Sequence, residues 1–173
     1  MTPLTRIRLI GLGIAALIFT VDQYVKYLVM YPLRLPVVRV IELLPFFDLR
    51  FTQNYGVSLG MLTADSAEMR WLLVAMTSAI ALVVLVWMLR ERHKGEVWAL
   101  ALILGGALGN IRDRSLRGYV IDYADLHFGE FRPFLIFNIA DAAITIGVLI
   151  ILARSLLSRE KPKQAAGETA PES

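Results

Sequence analysis

The sequence predicts a membrane protein of the all-α class, with four transmembrane helices and a small extracytoplasmic β-rich segment between the first and the second. Of its 173 residues, 57% are hydrophobic, and the mean hydropathy is +0.59. Soluble domains are usually only about 45–50% apolar. The apolar residues gather in four segments that approach the roughly 20 residues needed to cross a bilayer. A stretch rich in β-branched and aromatic residues separates the first two segments.

The four apolar segments define the predicted spans. They run from about Leu9 to Met30, from Trp71 to Leu89, from Val97 to about Ile111, and from about Pro133 to Leu152. The second contains no charged residue, whereas the third is short and rich in glycine. The first follows two arginines, as a secretory signal would. Its stretch Val21-Asp-Gln-Tyr-Val-Lys26 offers no small-x-small cleavage site and more apolar spans follow, so we expect it to remain as a signal anchor.

Basic residues near the span ends predict the orientation. They precede the first span, fill the link between the second and third, and follow the fourth: Arg6, Arg8, Arg90, Arg92, Lys94, Arg154, Arg159, Lys161 and Lys163. With four spans these places share one side of the membrane. Lysine and arginine are enriched in cytoplasmic loops, so we expect both termini in the cytoplasm.

The connections between spans predict the domain organisation. Residues 35–45 and 46–52 have the composition of short strands outside the membrane. Residues 112–132 are expected to form a second outer segment that links the third and fourth spans, with a loop at its Gly-Glu-Phe-Arg-Pro stretch. We predict a single integral membrane domain over residues 1–157, with a β-rich insertion at about 31–68. The polar residues 158–173 are expected to be a disordered cytoplasmic tail.

Composition excludes several classes of function. The chain has no cysteine, which removes disulfides, thiol nucleophiles and thiolate metal sites. Its formal charge is only +3 and its basic residues are scattered, so nucleic acid is not an expected partner. His93 and His127 are isolated in sequence and fit neither a metal-ligand spacing nor a serine mechanism, so we expect no metal.

Asp122 and Asp141 are the candidate catalytic residues. Asp141 lies in the otherwise apolar fourth span, and Asp122 lies in the connection before it. A carboxylate in a membrane span is costly and marks a functional site when a partner can be named. Two carboxylates held close together cannot both ionise, and a pair that shares one proton is the working unit of aspartic proteases.

Other polar residues of the spans have both structural and functional interpretations. Asn138 and Thr145 share a helix face with Asp141, but each could simply link helices by hydrogen bonds. Asp22 and Lys26 have the spacing of an intrahelical ion pair, and we favour structural support over direct chemistry for them.

Three short patterns have purely structural interpretations when each is taken alone. Gly105 and Gly109 form a Gly-x-x-x-Gly step, which favours close helix packing. Asp113 and Arg114 could cap a helix terminus. The Asn54-Tyr55-Gly56 stretch indicates a turn.

Five blocks of the sequence nevertheless resemble, in order, the signature blocks of lipoprotein signal peptidase, the bacterial type II signal peptidase. They are Asp22-Gln-Tyr-Val-Lys26, Asn54-Tyr-Gly56, Gly105-Gly-Ala-Leu-Gly-Asn110-Ile-Arg-Asp113-Arg114, Gly118-Tyr-Val-Ile-Asp122-Tyr and Phe137-Asn138-Ile-Ala-Asp141-Ala-Ala-Ile. The resemblance implies a four-helix inner-membrane aspartic protease with Asp122 and Asp141 as its catalytic dyad. It implies substrate-binding or supporting positions at Asn54, Gly56, Asn110, Arg114, Asn138, Asp22 and Lys26.

The chain departs from the family pattern at a few positions. Val57-Ser58-Leu59 follow the Asn-x-Gly step where the family usually has Ala-Ala-Phe, Tyr123 replaces a frequent phenylalanine, and Ala142 replaces a common serine. None of these changes removes a group that the chemistry requires.

The resemblance also implies the substrate and the location. The substrate is a bacterial prolipoprotein whose cysteine carries a diacylglyceryl group, and the cut falls just before that cysteine. No cofactor is implied. We expect membrane lipids as surroundings, a monomer, and an active site near the outer face of the inner membrane. Two other classes remain as alternatives: a small proton-coupled transporter using Asp22, Lys26 and Asp141, and a non-catalytic scaffold.

Overall fold

Four long helices and a small sheet make up the structure, a computed structural model that describes residues 2–56 and 67–159. The elements in chain order are α1 (Pro3–Met30), α2 (Leu35–Val38), β1 (Val40–Leu44), β2 (Phe47–Asn54), α3 (Ala67–Arg90), α4 (Lys94–Arg117), β3 (Val120–Leu126) and α5 (Ile139–Arg159). The predicted helical membrane class with a small β-rich part is confirmed.

Three of the long helices are apolar enough to cross a membrane. They are α1, α3 and α5, with mean hydropathies of 1.8, 2.6 and 2.0 over their most apolar windows. In α3 only 22% of that window is buried, so most of its apolar surface faces outward. Helices that are hydrophobic on their outer face are typical of a membrane environment. The remaining long helix, α4, is not among these three.

Helix α4 lies at the centre of the bundle and packs against α1, α3 and α5. Its glycines allow the neighbouring helices to approach closely. A Cβ atom on Gly105 would lie 2.6 Å from the carbonyl oxygen of Ala15 in α1, and one on Gly106 would collide with the carbonyl oxygen of Ala140 in α5. Gly105 and Gly109 of the Gly-x-x-x-Gly step therefore pack against α1, and Gly106 between them allows α5 to approach closely.

Contacts at the helix ends define the directions of the helices. Arg154, near the end of α5, lies 3.7 Å from Glu96 at the start of α4. Val97 of α4 and Met88 of α3 both adjoin Gly11 near the start of α1. Helices α1 and α4 are thus parallel to each other and antiparallel to α3 and α5. The C-terminal ends of α1 and α4 meet the N-terminal end of α5.

The sheet covers this second end of the bundle. Its strands are antiparallel in the order β1-β2-β3, with Phe47 of β2 opposite Leu126 of β3. Leu35, Ile121 and Tyr123 pack beneath it against the end of α1. The sheet thereby fixes β3 over the helix ends.

The structure corrects two predictions for the outer connections. Residues 35–38 form the one-turn helix α2 rather than a strand, because Pro36 suits the first turn of a helix. The second outer segment does not begin at Arg112, where it was predicted. Helix α4 continues to Arg117 and ends at Gly118, whose φ of +89° closes the helix. The next residues form β3, so the sheet also includes a strand from outside the predicted insertion.

The prediction that the fourth span begins near Pro133 is wrong: helix α5 begins six residues later, at Ile139. Phe137 is held in extended conformation because its backbone pairs with Ala124 of β3, with N–H···O distances of 2.8 and 3.1 Å. Helix α5 begins only at Ile139 and continues to Arg159. Residues 57–66, with Val57-Ser58-Leu59, and residues 160–173 of the predicted tail lie outside the described residues.

Candidate active site

Asp122 and Asp141 lie at the end of the bundle beneath the sheet. Asp122 is in the middle of β3 and only 1% exposed. Asp141 is half-buried in the first turn of α5. The two carboxylates are close enough for the charge of Asp141 to act on Asp122. The structure therefore brings together the two residues that the sequence singled out.

Asn138 joins the two aspartates. Its Nδ2 donates to Asp122 Oδ1 at 2.6 Å, and its Oδ1 accepts from the backbone N–H of Asp141 at 2.9 Å. In return, Asp141 Oδ2 accepts from the backbone N–H of Asn138 at 3.3 Å. This reciprocal arrangement is a capping box at the N-terminus of α5. Asn138 is therefore the N-cap of α5, not a residue on a shared helix face as the spacing predicted.

Asn54 reaches Asp122 from the end of β2. Its Nδ2 donates to Asp122 Oδ2 at 2.9 Å, while its Oδ1 accepts from the backbone N–H of Gly56 at 2.8 Å. The turn requires glycine, because Gly56 has a φ of +86°. A Cβ atom there would also lie 3.2 Å from Arg114 Nη2. The Asn54-Tyr55-Gly56 turn thus aims an amide at Asp122 and leaves room for a guanidinium.

Asn110 and Lys26 support Asp141 from the other side. Asn110 Nδ2 donates to Asp141 Oδ1 at 2.7 Å, and its Oδ1 accepts from Lys26 Nζ at 3.3 Å. An ammonium group has donors only. Lys26 therefore fixes the orientation of the Asn110 amide with its N–H groups toward Asp141.

A buried charge cluster surrounds Lys26. Its Nζ lies 2.9 Å from Asp22 and 2.8 Å from Asp113, and all three side chains are at most 1% exposed. Asp113 also pairs with Arg117 at 2.9 Å. Asp22 Oδ1 accepts the backbone N–H of Ala140 at 3.0 Å, which satisfies a free donor in the first turn of α5. The predicted Asp22–Lys26 ion pair is present, and it extends to the helix that carries Asp141.

Asp113 and Asp125 belong to this end of the molecule, although no role in the site was predicted for either. Asp113 is fully buried beneath Lys26. Its spacing of four from Arg117 was the available signal. Asp125 is also fully buried and pairs with Arg50 at 2.8 Å and Arg132 at 3.1 Å. It was missed because a strand in that segment was not predicted.

The electrostatics of the site differ from those of a solvated carboxylate. Burial, followed by the negative charge of Asp141, raises the pKa of Asp122 to about 6. Hydrogen bonds from Asn54 and Asn138 oppose this shift by stabilising the ionised form. The guanidinium of Arg114 adds a positive charge that acts on both aspartates. The pair can therefore retain a proton under mildly acidic conditions.

Two cavities adjoin the aspartates. A cavity of about 600 Å³ opens at Asp122 between the end of β2 and residues 132–136. A more apolar cavity of about 280 Å³ lies beside Asp141 along α5. Phe134 and Leu135 line both cavities. The exposed Thr145 lines the second, so it faces a cavity rather than the bundle interior. An extended peptide and an apolar group could be held side by side here.

The two histidines lie away from this site. His127 Nε2 lies 3.1 Å from Asp48 Oδ2 on the sheet. His93 belongs, with Glu91 and Glu96, to a group whose ligand atoms lie within 4.8 Å of one another. That group is at the start of α4, the opposite end from Asn110. The departures Tyr123 and Ala142 are buried and half-buried, respectively, and neither contributes a hydrogen bond to Asp122 or Asp141 in the described structure.

Paired carboxylates beside a cavity at one end of an apolar helical bundle are the arrangement of a membrane aspartic peptidase. Comparisons with known proteins define the family. Residues 14–157 match the family model described as "Signal peptidase (SPase) II". The chain therefore belongs to the signal peptidase II family, whose members are aspartic peptidases that cleave signal peptides from lipoproteins.

Individual relatives agree with this assignment. The chain is 54% identical over 159 residues to a lipoprotein signal peptidase of Rhizorhabdus wittichii, covering 92% of each chain. It is 56% identical over 155 residues to one of Sphingopyxis alaskensis, covering 90% of each. Two solved structures described as bacterial membrane enzymes are also similar. One has a TM-score of 0.75 and 27% identity and covers 91% of this chain and 94% of its own. The other has 0.73 and 29%, with coverages of 84% and 92%.

Proposed function

We propose that Asp122 and Asp141 are the catalytic dyad of this chain, and that its substrate is a prolipoprotein with a diacylglyceryl group on its cysteine. The hydrogen-bond path between them through Asn138, with distances of 2.6 and 2.9 Å, is the observation that carries the proposal. The transporter and scaffold alternatives would not need two aspartates linked in this way beside a cavity.

The reaction uses one shared proton. One ionised aspartate takes a proton from a water molecule, which attacks the scissile carbonyl. The protonated aspartate donates a hydrogen bond to the carbonyl oxygen and stabilises the tetrahedral intermediate. The raised pKa of Asp122 supports a pair that holds one proton. The two apparent pKa values belong to the pair rather than to either residue.

Neighbouring side chains hold the dyad and the substrate. Asn54 and Asn138 donate to Asp122, and Asn110 donates to Asp141. Asn54 and Gly56 line the cavity at Asp122, and the guanidinium of Arg114 lies beside Gly56; we infer that the substrate backbone binds here. Asp22 and Lys26 support the site by fixing the N-terminus of α5 and the amide of Asn110.

We also propose that α4 crosses the membrane as well, as the third of four spans in chain order. It is 24 residues long, close to 36 Å at about 1.5 Å per residue. The other three helices shield it, so it needs less apolar surface of its own. Both termini then lie on the basic, cytoplasmic side of the inner membrane. The dyad lies near the outer face, within reach of a substrate anchored by its acyl chains, and one copy of the chain suffices.

Cleavage of a defined substrate tests this proposal. The purified protein is incubated with a diacylglyceryl-modified prolipoprotein, and the product masses are measured for wild type, Asp122→Asn and Asp141→Asn. We expect a cut just before the lipidated cysteine, lost in both variants. Asp48→Asn is the matched control, because it removes a buried carboxylate from the same sheet, away from the cavity at Asp122. Activity retained in either dyad variant would overturn the assignment.

A further inference from the structure

A basic cavity lies at the opposite end of the bundle from the aspartates. It has a volume of about 390 Å³ and is formed where the first turns of α1 and α4 meet. Arg6 and Lys94 supply its charged lining, and Trp98 lies one turn after Lys94 on the same helix face. The rest of its lining is apolar: Pro3, Ile7 and Ile10.

The two cations of this cavity have no counter-ion in the described part of the chain. Neither Arg6 nor Lys94 forms an ion pair with a carboxylate of residues 2–56 or 67–159. The nearby acidic residues are already engaged. Glu91 accepts hydrogen bonds from the backbone of the α3–α4 link, and Glu96 pairs with Arg154. The cavity therefore presents a net positive charge.

The start of α4 adds to this charge. His93 is its N-cap but forms no side-chain cap hydrogen bond. A helix N-terminus presents free N–H groups and a partial positive charge, which favour an anion. Together with the two cations, this makes the polar rim of the cavity suitable for a phosphate group.

We propose that this cavity binds the headgroup of an anionic phospholipid. The rim attracts the phosphate, while Ile7, Ile10 and the half-exposed Trp98 contact the acyl chains. Tryptophan is favoured at the membrane interface, and basic pockets between transmembrane helices suit anionic lipids. A free soluble anion would use the rim but gain nothing from the apolar wall. An anionic phospholipid is therefore the ligand that fits both the basic rim and the apolar wall of the cavity.

Quenching of Trp98 by brominated lipid tests the site. The chain has three tryptophans, so Trp71→Phe with Trp87→Phe leaves Trp98 as the single reporter. The protein is reconstituted in phosphatidylcholine vesicles that contain equal fractions of brominated phosphatidylglycerol or brominated phosphatidylcholine. We expect the anionic lipid to be preferred at Trp98 by at least about fivefold, the factor that one basic residue near a charged surface provides. Equal quenching by the two lipids would overturn the proposal.

Charge-matched variants distinguish a site from general surface attraction. Arg6→Gln with Lys94→Gln should abolish the preference. Arg90→Gln with Arg92→Gln removes the same charge at the same end without touching the cavity lining, so the preference should remain. An equal loss in both pairs would show non-specific attraction and refute the site. Glycerol phosphate should not compete, and competition by it would mean a soluble anion instead.

Native mass spectrometry of the chain with all its tryptophans provides an independent measurement. Delipidated protein is titrated with phosphatidylglycerol or phosphatidylcholine, and bound lipids are counted. We expect one phosphatidylglycerol to be retained by wild type and by the Arg90/Arg92 variant, and lost from the Arg6/Lys94 variant. Retention by all three proteins would contradict the proposal.

Discussion

Asn138 and Asp141 cap the N-terminus of α5 reciprocally, each side chain accepting the backbone N–H of the other residue. One carboxylate of the proposed dyad is thus also part of a helix cap. Helix caps stabilise their helix by about 1 kcal/mol. The same hydrogen bonds that begin α5 therefore hold Asp141 in a fixed position relative to Asp122.

Replacing Asn138 should separate its role as the N-cap of α5 from its role as a hydrogen-bond donor to Asp122. Asn138→Ser retains an oxygen that can cap α5 but loses the N–H groups donated to Asp122 and to the carbonyl of Ile121. We expect it to be more stable than Asn138→Ala, yet to have about a 10²-fold lower kcat/KM than wild type. Asn138→Ala should lose the cap as well and about 1 kcal/mol of stability. Thermal unfolding in detergent and prolipoprotein cleavage measure the two effects. Wild-type activity in Asn138→Ser would show that the contact with Asp122 does not matter.

Stability should depend on pH through Asp122. Its pKa is about 6 in the folded protein, against 3.8 for an unperturbed aspartate. Because the folded value is raised, its contribution to stability is fully present below pH 3.8 and is lost as the pH rises through about 6. The Asp122→Asn variant has no titrating group at this position, so its stability does not fall in this way. The stability of the variant relative to wild type should therefore increase by roughly 2–3 kcal/mol from pH 4 to pH 7.

Thermal unfolding of wild type and Asp122→Asn across that pH range checks this expectation. Asp125→Asn is a useful comparison, since it removes a carboxylate of the same strand that is paired with two arginines. A difference between wild type and Asp122→Asn that stays constant with pH would mean that Asp122 has an ordinary pKa in the folded protein.

Removing Lys26 should destabilise the bundle strongly. Lys26→Met leaves Asp22 without its cation and leaves Asp113 with Arg117 alone, and breaking a buried ion pair costs about 3–5 kcal/mol. Adding Asp22→Asn removes one uncompensated charge while the new amide oxygen can still accept from Ala140. We expect the double variant to be more stable than Lys26→Met in thermal unfolding. If the double variant is instead the less stable of the two, electrostatic pairing is not the reason.

Substitutions of two glycines should have opposite effects. A Cβ atom on Gly109 would lie 2.5 Å from Asp22 Oδ2, whereas one on Gly13 meets nothing within 4 Å. Gly109→Ala should therefore displace Asp22 and lower both stability and cleavage. Gly13→Ala should gain up to about 1 kcal/mol from the better helix propensity of alanine. Equal stabilities of the two variants would contradict the close contact between α4 and Asp22.

Hydropathy was sufficient to predict the helices that face the outside of the bundle. The bounds of α3 lie within four residues of the predicted span, because the stretch from Trp71 to Leu89 contains no charged residue. The ends of α4 and α5 were mispredicted for a physical reason. Helix α4 continues through Asp113 to Arg117 because those charges are paired inside the protein, which hydropathy does not register. Helix α5 begins late because Phe137 pairs with a strand.

The sheet illustrates a second limit. Residues 120–126 are strongly β-branched only at Val120 and Ile121, and they form a strand because β2 pairs along their length. Such a partnership is non-local and leaves little trace in the segment itself. The juxtaposition of Asp122 with Asn54 depends on that register. The sequence could therefore suggest a pair of aspartates, but it could not show which amides reach them.

The pairing within the Lys26 cluster bears on how the chain enters the membrane. Asp22 and Lys26 are one helical turn apart in α1, and Asp113 and Arg117 are one turn apart in α4. With α4 as the proposed third span, each of the two helices carries a counter-ion for its own buried charge when it inserts. The bond between Lys26 and Asp113 forms only afterwards, when α4 docks on α1. Addition of this shared ion pair to the two local ones would then mark the step at which separate helices become a folded protein.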